Sequence, residues 1–370
     1  MRRRAPSLIA LAGVVALMLA AAPAVALSPF GSTVEVVESS CRFEDSTGDA
    51  VMGSDGILRG FVDFAGGNCP GSAAIRYYEK DGGDVTVETS PYRGDVLSVT
   101  SDATGVYLLY QARNGSLYLT KRTSGGVFTA GRRLSSVKED GPVEGDVIAN
   151  GGTWWAVWTE PVPGGRQAAT SLNQAKTMGT DIPFQRLTTA SVGLELTPSL
   201  ALRPGNRAAL AWSRTPSVNT DWIALWVGAA DSNGKWRSRQ FELAPVAGGG
   251  VHILPSVFVT GPTTYIAWQH DATIMVADNR GGSFKAKSFL TPGVLPTVSA
   301  SGGKVFVGWT SIRSPERAFI TQRVGSTWSG NYVSPATSHH QSMAGTFSFS
   351  GDATALMLSP SRLYARTQGS

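Results

Sequence analysis

The residues best suited to chemistry are four histidines and a scatter of charged side chains in predicted loops. Carboxylate pairs can serve as acid and base, or as acid and nucleophile, in hydrolysis, and histidines combined with carboxylates can hold a metal ion. The candidate catalytic residues are Glu160, Asp271 and Glu316, and the candidate ligand-binding residues are His252, His270, Arg313, Arg317, His339 and His340.

No local motif turns these residues into a defined centre. The histidines lack metal-ligand spacing, and His339 and His340 are neighbours that would point to opposite faces of a strand. The chain has no Gly-x-Ser-x-Gly nucleophile elbow, no Walker loop and no His-Glu-x-x-His. We therefore predict no metal and no cofactor. A carboxylate pair from two separate strands leaves no such motif, so glycoside hydrolysis stays open.

A repeat explains how the chain could position these residues. An alternating apolar segment that ends in a large side chain recurs, and from Phe64 to Leu358 six intervals span 294 residues, a mean of 49. Each anchor follows a short polar-apolar strand opener such as Gly145-Asp146-Val147 or Pro198-Ser199-Leu200. Further along comes a turn followed by an aromatic residue, as in 325–328. Asn114-Gly115 between two apolar strands predicts a hairpin.

Four short strands in every repeat of this length are typical of a β-propeller blade. We predict an all-β, seven-bladed propeller of four-stranded antiparallel blades, in which the amino-terminal strand at 33–37 completes the last blade. Six blades is the alternative if the poorly matched unit at 41–91 does not form a blade. A pair of β-sandwiches is the alternative architecture. The large anchors, mostly Trp, should be core residues. The loops between second and third strands, and between blades, carry the candidate site residues.

The amino terminus has the features of a secretory signal. Three arginines at 2–4 precede an apolar stretch at 8–22 and a small-x-small cleavage site at 24–26. Residues 1–26 are thus predicted to be a signal peptide and residues 27–370 a single propeller domain, secreted to the extracellular space. A membrane anchor is the alternative for 8–22, and the Sec and twin-arginine routes both stay open.

The net charge and the distribution of apolar residues limit the classes of partner that the chain could bind. The formal net charge of +5 falls to +2 without the three arginines of the signal, and no basic run is interleaved with aromatic residues. Nucleic acid is therefore an unexpected partner. No second apolar stretch is long enough to span a membrane. The only cysteines, Cys41 and Cys69, are predicted to form a disulfide in an oxidising compartment, with two buried thiols as the alternative.

The hairpins between third and fourth strands resemble the turns of the sialidase-like, Asp-box (BNR-type) propeller superfamily. The resemblance rests on Asp231-Ser232-Asn233-Gly234-Lys235-Trp236 and on Asp278-Asn279-Arg280-Gly281-Gly282-Ser283-Phe284, both with altered spacing. In that family the box is a structural turn, and the early Arg-Ile-Pro signature of true sialidases is absent here. We therefore predict an exported, monomeric, non-catalytic propeller that binds a glycan or a protein at the cell surface, with a sialidase-like glycosidase as the alternative.

Overall fold

The computed structural model describes residues 34–38, 47–53, 55–63, 74–81, 84–135, 144–161, 170–176, 184–186, 195–215, 223–232, 241–244, 250–280, 282–301, 303–312, 317–325, 327–332, 342–347, 353–358 and 362–367. Within these ranges the chain forms strands and no helix, as the all-β prediction requires. The strands are β1 (Val34–Glu38), β2 (Thr47–Met52), β3 (Leu58–Asp63), β4 (Ala74–Asp81), β5 (Asp84–Asp102), β6 (Gly105–Ala112), β7 (Leu117–Thr123), β8 (Arg132–Arg133), β9 (Gly145–Asn150), β10 (Thr153–Pro161), β11 (Thr170–Lys176), β12 (Phe184–Arg186), β13 (Glu195–Arg203), β14 (Arg207–Arg214), β15 (Ala224–Ala230), β16 (Phe241–Ala244), β17 (His252–Thr260), β18 (Thr263–His270), β19 (Thr273–Asp278), β20 (Lys285–Ser301), β21 (Lys304–Ser311), β22 (Arg317–Val324), β23 (Thr327–Tyr332), β24 (Ser342–Phe347), β25 (Ala353–Leu358) and β26 (Arg362–Thr367).

The strands pair in antiparallel sets of four. Three sheets have the orders β1-β26-β25-β24, β12-β11-β10-β9 and β13-β14-β15-β16, and two longer sheets run from β2 to β8 and from β17 to β23. Each longer sheet joins two sets through one long strand, β5 or β20. The first half of that strand pairs with the strand before it and the second half with the strand after it.

The sets are arranged around a closed ring. The first strands of successive sets contact one another in the cycle β2, β5, β9, β13, β17, β20, β24 and back to β2. Strand β1 pairs with β26, with Val34 opposite Ala365 and Glu38 opposite Arg362, which confirms that the amino-terminal ribbon completes the carboxyl-terminal sheet. The alternative of two stacked β-sandwiches is therefore wrong.

The core lies between neighbouring sets. Apolar clusters join neighbouring sets between β2 and β23, for example Leu109 and Trp158 in one cluster and Val227 and Trp268 in another. Trp158, Trp212, Trp268 and Trp309 are at most 1% exposed, as predicted for the anchors. Each buried indole removes roughly 150–250 Å² from water. In the first set the buried anchor position belongs to Phe61, whereas Phe64, the residue expected there, lies outside the described ranges.

Polar side chains link six successive first strands, from β2 to β20, by hydrogen bonds. In each case a side chain near the start of one first strand accepts from a backbone N–H of the next first strand. The bonds are Val99 N to Asp49 Oδ2 at 2.7 Å, Val147 N to Ser98 Oγ at 3.3 Å, Leu200 N to Asp146 Oδ2 at 2.6 Å, Val257 N to Ser199 Oγ at 3.1 Å and Val298 N to Ser256 Oγ at 3.1 Å. We call this series of bonds along the ring of first strands the inter-set ring. Three of its acceptors, Asp146, Ser199 and Ser256, are the middle residues of predicted strand openers.

Three of those openers contain a proline at a β-bulge rather than at the predicted first position of a strand. Thr197, Leu254 and Leu295 precede these prolines and have positive φ angles of 45°, 54° and 54°. The pairing register shifts at each of these places. A bulge leaves one residue out of the ladder, so the missing proline N–H breaks no ladder hydrogen bond. Positive φ is unfavourable for branched side chains, and such strain often accompanies functional sites.

The predicted Asn114-Gly115 hairpin forms, but its turn is one residue longer than expected. Only Gly115 has a positive φ, of 77°. Gly115 N donates to Ala112 O at 2.8 Å, and Ala112 N donates to Ser116 O at 2.9 Å. The turn therefore spans residues 113–115, with glycine in the left-handed position that closes a three-residue loop.

The aromatic residue after the turn between third and fourth strands is part of an arginine clamp. Arg323 on β22 lies over Trp328 at 5.2 Å and over Tyr265 of the preceding set at 5.5 Å. Its guanidinium also pairs with Asp278 of that preceding set at 2.8 Å. Arg122 repeats the arrangement with Phe128, Tyr77 and Glu88. The aromatic positions read from the repeat thus fix one set against the next.

The clamp predicts a clear stability effect at Arg323. Arg323→Ala should cost about 2–3 kcal/mol, because it leaves Asp278 with one fewer cation and removes two stacking contacts. Arg323→Lys should recover only part of this loss, since an ammonium lacks the planar guanidinium that stacks. Urea unfolding of the three proteins measures the difference. Equal stability of Arg323→Lys and the parent would show that charge alone matters.

Candidate functional site

One face of the ring collects the ends of the second strands, the starts of the third strands and the starts of the first strands. We call it the upper face and define it by the second-strand ends Asp63, Gln111, Glu160, Ser213, His270 and Ser311. Antiparallel order places all these ends on the same side, opposite the turns between first and second strands. The candidate residues that the sequence placed on these loops and that are described, Glu160, His252, His270, Asp271 and Arg317, lie at this face.

The upper face buries polar side chains at positions where a simple core would bury apolar ones. Asp63 and Ser213 are 0% exposed, Glu160 and Ser311 are 1% exposed, and Gln111 is 7% exposed. Burying a polar group costs free energy unless a hydrogen bond replaces the lost water. A repeated band of such groups is therefore a feature that needs an explanation beyond folding.

Asp63 and three other residues of the upper face have unused hydrogen-bonding capacity. Both carboxylate oxygens of Asp63, Ser116 Oγ, Gln269 Oε1 and Thr310 Oγ1 are buried, and the structure as described gives them no hydrogen-bond partner. The four residues belong to four different sets and all lie at the upper face. Native proteins leave few buried polar atoms unpaired, and those that remain commonly await a water, an ion or a ligand.

Asp63 has the most unusual electrostatics. Burial raises its pKa from 3.8 to about 7, repulsion from Asp95 adds to this, and Arg113 opposes it. Near neutral pH this side chain is therefore poised between a neutral acid, which can donate a hydrogen bond or proton, and a carboxylate, which can only accept. Sequence reasoning missed Asp63, although an acid at the end of an apolar strand was the available signal.

Glu160, a predicted catalytic candidate, is tied to a core residue. Its Oε2 accepts from Trp158 Nε1 at 3.0 Å. In the neighbouring loop Glu144 accepts from Thr197 N, and Thr197 Oγ1 in turn accepts from Leu254 N at 3.2 Å. This second chain of bonds crosses three sets and holds two of the positive-φ residues. Burial raises the pKa of Glu144 above its ordinary value.

The structure brings together three of the predicted site residues. His252 and His270 are opposite each other in the β17–β18 ladder, and their rings stack with centroids 4.2 Å apart. Asp271 lies 3.5 Å from His270 Nε2 and accepts from Val251 N at 3.0 Å. His252 Nδ1 accepts from Trp268 Nε1 at 2.9 Å. Burial lowers the pKa of His252 to about 4, with repulsion from His270 contributing and Asp271 opposing.

Of the remaining predicted residues, only Arg317 is among the described residues. Arg317 begins β22 at the upper face, in a different set from His252 and Glu160. Arg313, Glu316, His339, His340, Cys41 and Cys69 lie outside the described residues. Among the residues that are described, no group of three metal-ligating side chains occurs. No helix in the described ranges is long and apolar enough to cross a membrane.

A cavity of about 1120 Å³ runs along the first strands at the centre of the ring. Its wall includes Asp49, Ser98, Asp146 and Val298 from the inter-set ring. Its lining extends to the face opposite the upper face, where Arg59 pairs with Asp55 at 2.8 Å and with Glu79 at 3.1 Å. Burial raises the pKa of Asp49 to about 7, although backbone N–H donors oppose the shift.

Comparison with known proteins defines the fold. No family model matches the sequence, and no curated protein matches it. Among solved structures, an α-L-arabinanase of Penicillium chrysogenum bound to arabinobiose is similar with a TM-score of 0.57 and 11% identity, covering 80% of this chain and 98% of that one. Aleuria aurantia lectin bound to Fucα1-6GlcNAc gives 0.52 and 14% identity, over 80% and 97% of the two chains.

A third similar structure is the subtype N10 neuraminidase-like protein of an influenza A strain from the little yellow-shouldered bat. Its TM-score is 0.50 and its identity 11%, covering 73% of this chain and 92% of that one. These neighbours are β-propellers. The chain therefore has a β-propeller fold, and at these identities the similarity concerns the fold alone.

Proposed function

We propose that this chain is an exported seven-bladed β-propeller that binds a glycan at its upper face. The closed cycle of first strands and the sharing of β5 and β20 between sets support a count of seven. Export by the signal at 1–26, a Cys41–Cys69 disulfide and a monomeric state belong to the same proposal. The turns at 231–236 and 278–284 are proposed to be degenerate Asp-boxes.

The observation that carries the binding function is the band of buried polar groups with unused hydrogen-bonding capacity. Asp63, Gln269 and Thr310 supply acceptors and a hydroxyl from separate blades. Glu160, which accepts from Trp158, adds a buried carboxylate to the same face. A glycan offers many hydroxyl groups that both donate and accept, so it can satisfy such a band from several directions. The ligands bound in two similar structures, arabinobiose and a fucosylated disaccharide, support a glycan over a protein.

A glycoside hydrolase is the second candidate, and one observation favours it. Asp63 holds a proton near neutral pH because of burial and because Asp95 is close enough to repel its charge. A general acid paired with a second carboxylate is the arrangement that glycoside hydrolysis needs. The binder is the preferred proposal, because the sequence contains no catalytic signature and Glu160 is already held by Trp158.

Binding should be lost when the upper face is altered and kept when the opposite face is altered. We expect the mature chain, residues 27–370, to bind in an array of arabino-, fucosyl- and sialyl-oligosaccharides. Asp63→Asn and Glu160→Gln should each weaken that binding about 10–100-fold, since each replaces a buried carboxyl oxygen with an amide NH2 that cannot accept. Asp55→Asn is the control, because Asp55 is a half-exposed carboxylate at the opposite face. Isothermal titration with the best array ligand gives the affinities.

The outcomes separate the alternatives. An array without any bound glycan, or equal affinities for all four proteins, would defeat the proposal. Release of reducing sugar from the bound oligosaccharide, abolished in Asp63→Asn, would instead establish the hydrolase.

A further inference from the structure

Two anchor tryptophans donate their indole N–H groups to polar side chains of the upper face. Trp158 Nε1 donates to Glu160 Oε2 at 3.0 Å, and Trp268 Nε1 donates to His252 Nδ1 at 2.9 Å. Both tryptophans are at most 1% exposed, so neither indole N–H has water as an alternative acceptor. Side chains two positions apart in a strand lie on the same face of the sheet, and this brings Glu160 within reach of Trp158.

The same relation holds in the second case through the ladder. His270 is two residues after Trp268, and His252 is the direct pairing partner of His270. In two different sets, therefore, the indole N–H of the anchor tryptophan donates to a polar side chain at the upper face. Its direction of donation is fixed, because an indole nitrogen donates and cannot accept.

We propose that Trp158 and Trp268 are positioning residues that fix Glu160 as a hydrogen-bond acceptor and His252 as a hydrogen-bond donor through Nε2. This inference rests on the proposed glycan-binding function of the upper face. A neutral imidazole carries one proton, so a bond accepted at Nδ1 places that proton on Nε2. The ligand must then offer an acceptor oxygen to His252 and a donor to Glu160. Neutral sugar hydroxyls meet both demands.

The environment of His252 reinforces the assignment. Protonating Nδ1 would set one N–H against another, and the His270 ring is stacked on His252 with its centroid 4.2 Å away. Of the titratable groups beside this ring, His270 disfavours its protonation and Asp271 favours it. Burial is the largest cause of its lowered pKa, which leaves the neutral ring dominant at neutral pH.

Nitrogen-15 NMR of labelled mature protein tests the inference without any ligand. We expect the parent to show His252 protonated at Nε2, with a scalar coupling across the hydrogen bond from Trp268 Nε1 to His252 Nδ1. Trp268→Phe should give a mixture of the two neutral forms and should raise the pKa of His252. Trp309→Phe is the matched control, because it makes the same change at the corresponding anchor of the next set, in a separate apolar cluster.

Each result decides the question. A proton on Nδ1 in the parent, or an unchanged proton position in folded Trp268→Phe, would overturn the inference. The coupling in the parent provides the answer even if Trp268→Phe fails to fold. Since no glycan is present, failure of the NMR test leaves the binding proposal standing, and failure of the glycan array leaves the positioning role intact.

Discussion

Replacing Asp63 with asparagine is expected to stabilise the protein at pH 8 while weakening ligand binding. The pKa of Asp63 is raised by burial to about 7, so the folded protein holds a proton there between about pH 4 and 7 that the unfolded chain has lost. Stability contributed by this proton is present at low pH and declines as the pH rises through 7. At pH 8 the parent must bury an ionised carboxylate, whereas the variant buries a neutral amide of the same shape.

We expect a gain of about 1–3 kcal/mol at pH 8, since each unit of pKa shift corresponds to about 1.4 kcal/mol. At pH 4 the two proteins should have nearly equal stability. Urea unfolding at both pH values measures this. Asp55→Asn should show no such gain, because ion pairing with Arg59 lowers the pKa of Asp55. A loss of stability at pH 8 in Asp63→Asn would mean that the carboxylate has a structural partner rather than an unused site.

Asp146→Ala is expected to be the most damaging single change in the inter-set ring. Asp146 accepts from Ser98 Oγ at 2.6 Å, from Leu200 N at 2.6 Å and from Val147 N at 2.8 Å, so one side chain ties three blades together. Alanine leaves these buried donors unpaired, at a cost of about 1–3 kcal/mol for each lost partner that stays unsatisfied. We expect a total loss of about 3–5 kcal/mol.

Asp146→Asn should cost less than about 1 kcal/mol, because its Oδ1 can accept from Leu200 N while its Nδ2 donates to the Ser98 hydroxyl. Burial raises the pKa of Asp146, so a neutral side chain suits the site. Ser256→Ala removes the ring bond to Val298 and should cost about 1 kcal/mol. Unfolding midpoints in urea compare the three variants. Similar losses for alanine and asparagine at position 146 would show that the charge, not the hydrogen bonds, stabilises the ring.

The sequence predicts the repeating architecture because the anchors are large, apolar and evenly spaced. Trp158, Trp212, Trp268 and Trp309 each lie in the second strand of a set. The amino-terminal strand β1 pairs with β26, as expected for a strand that completes the last blade. The inter-set ring was harder to predict. Ser199 and Ser256 follow prolines in a pattern that indicates a strand opening, and only the packing of successive first strands gives their hydroxyls a common role.

The site is less predictable for the same reason. Asp63 occupies one polar position in a strand, which the alternating pattern reads as an exposed side chain. Its burial depends on neighbours from another blade, and sequence spacing does not specify them. His252 and His270 were identified as site residues from their loops, but the indole of Trp268 that orients one of them was interpreted as core alone. Both descriptions of Trp268 are correct.

Because β1 pairs with β26, the ring of sheets can close only late in folding. Residues 34–38 are made first, yet the strand that they pair with spans residues 362–367, so the circle closes only after nearly the whole chain has been synthesised. Contacts of such long sequence separation form slowly. Until then the emerging chain presents unpaired strand edges that can capture another copy of itself. A chain interrupted before residue 362 would keep such an edge permanently, and we expect it to aggregate rather than to persist as a smaller disc.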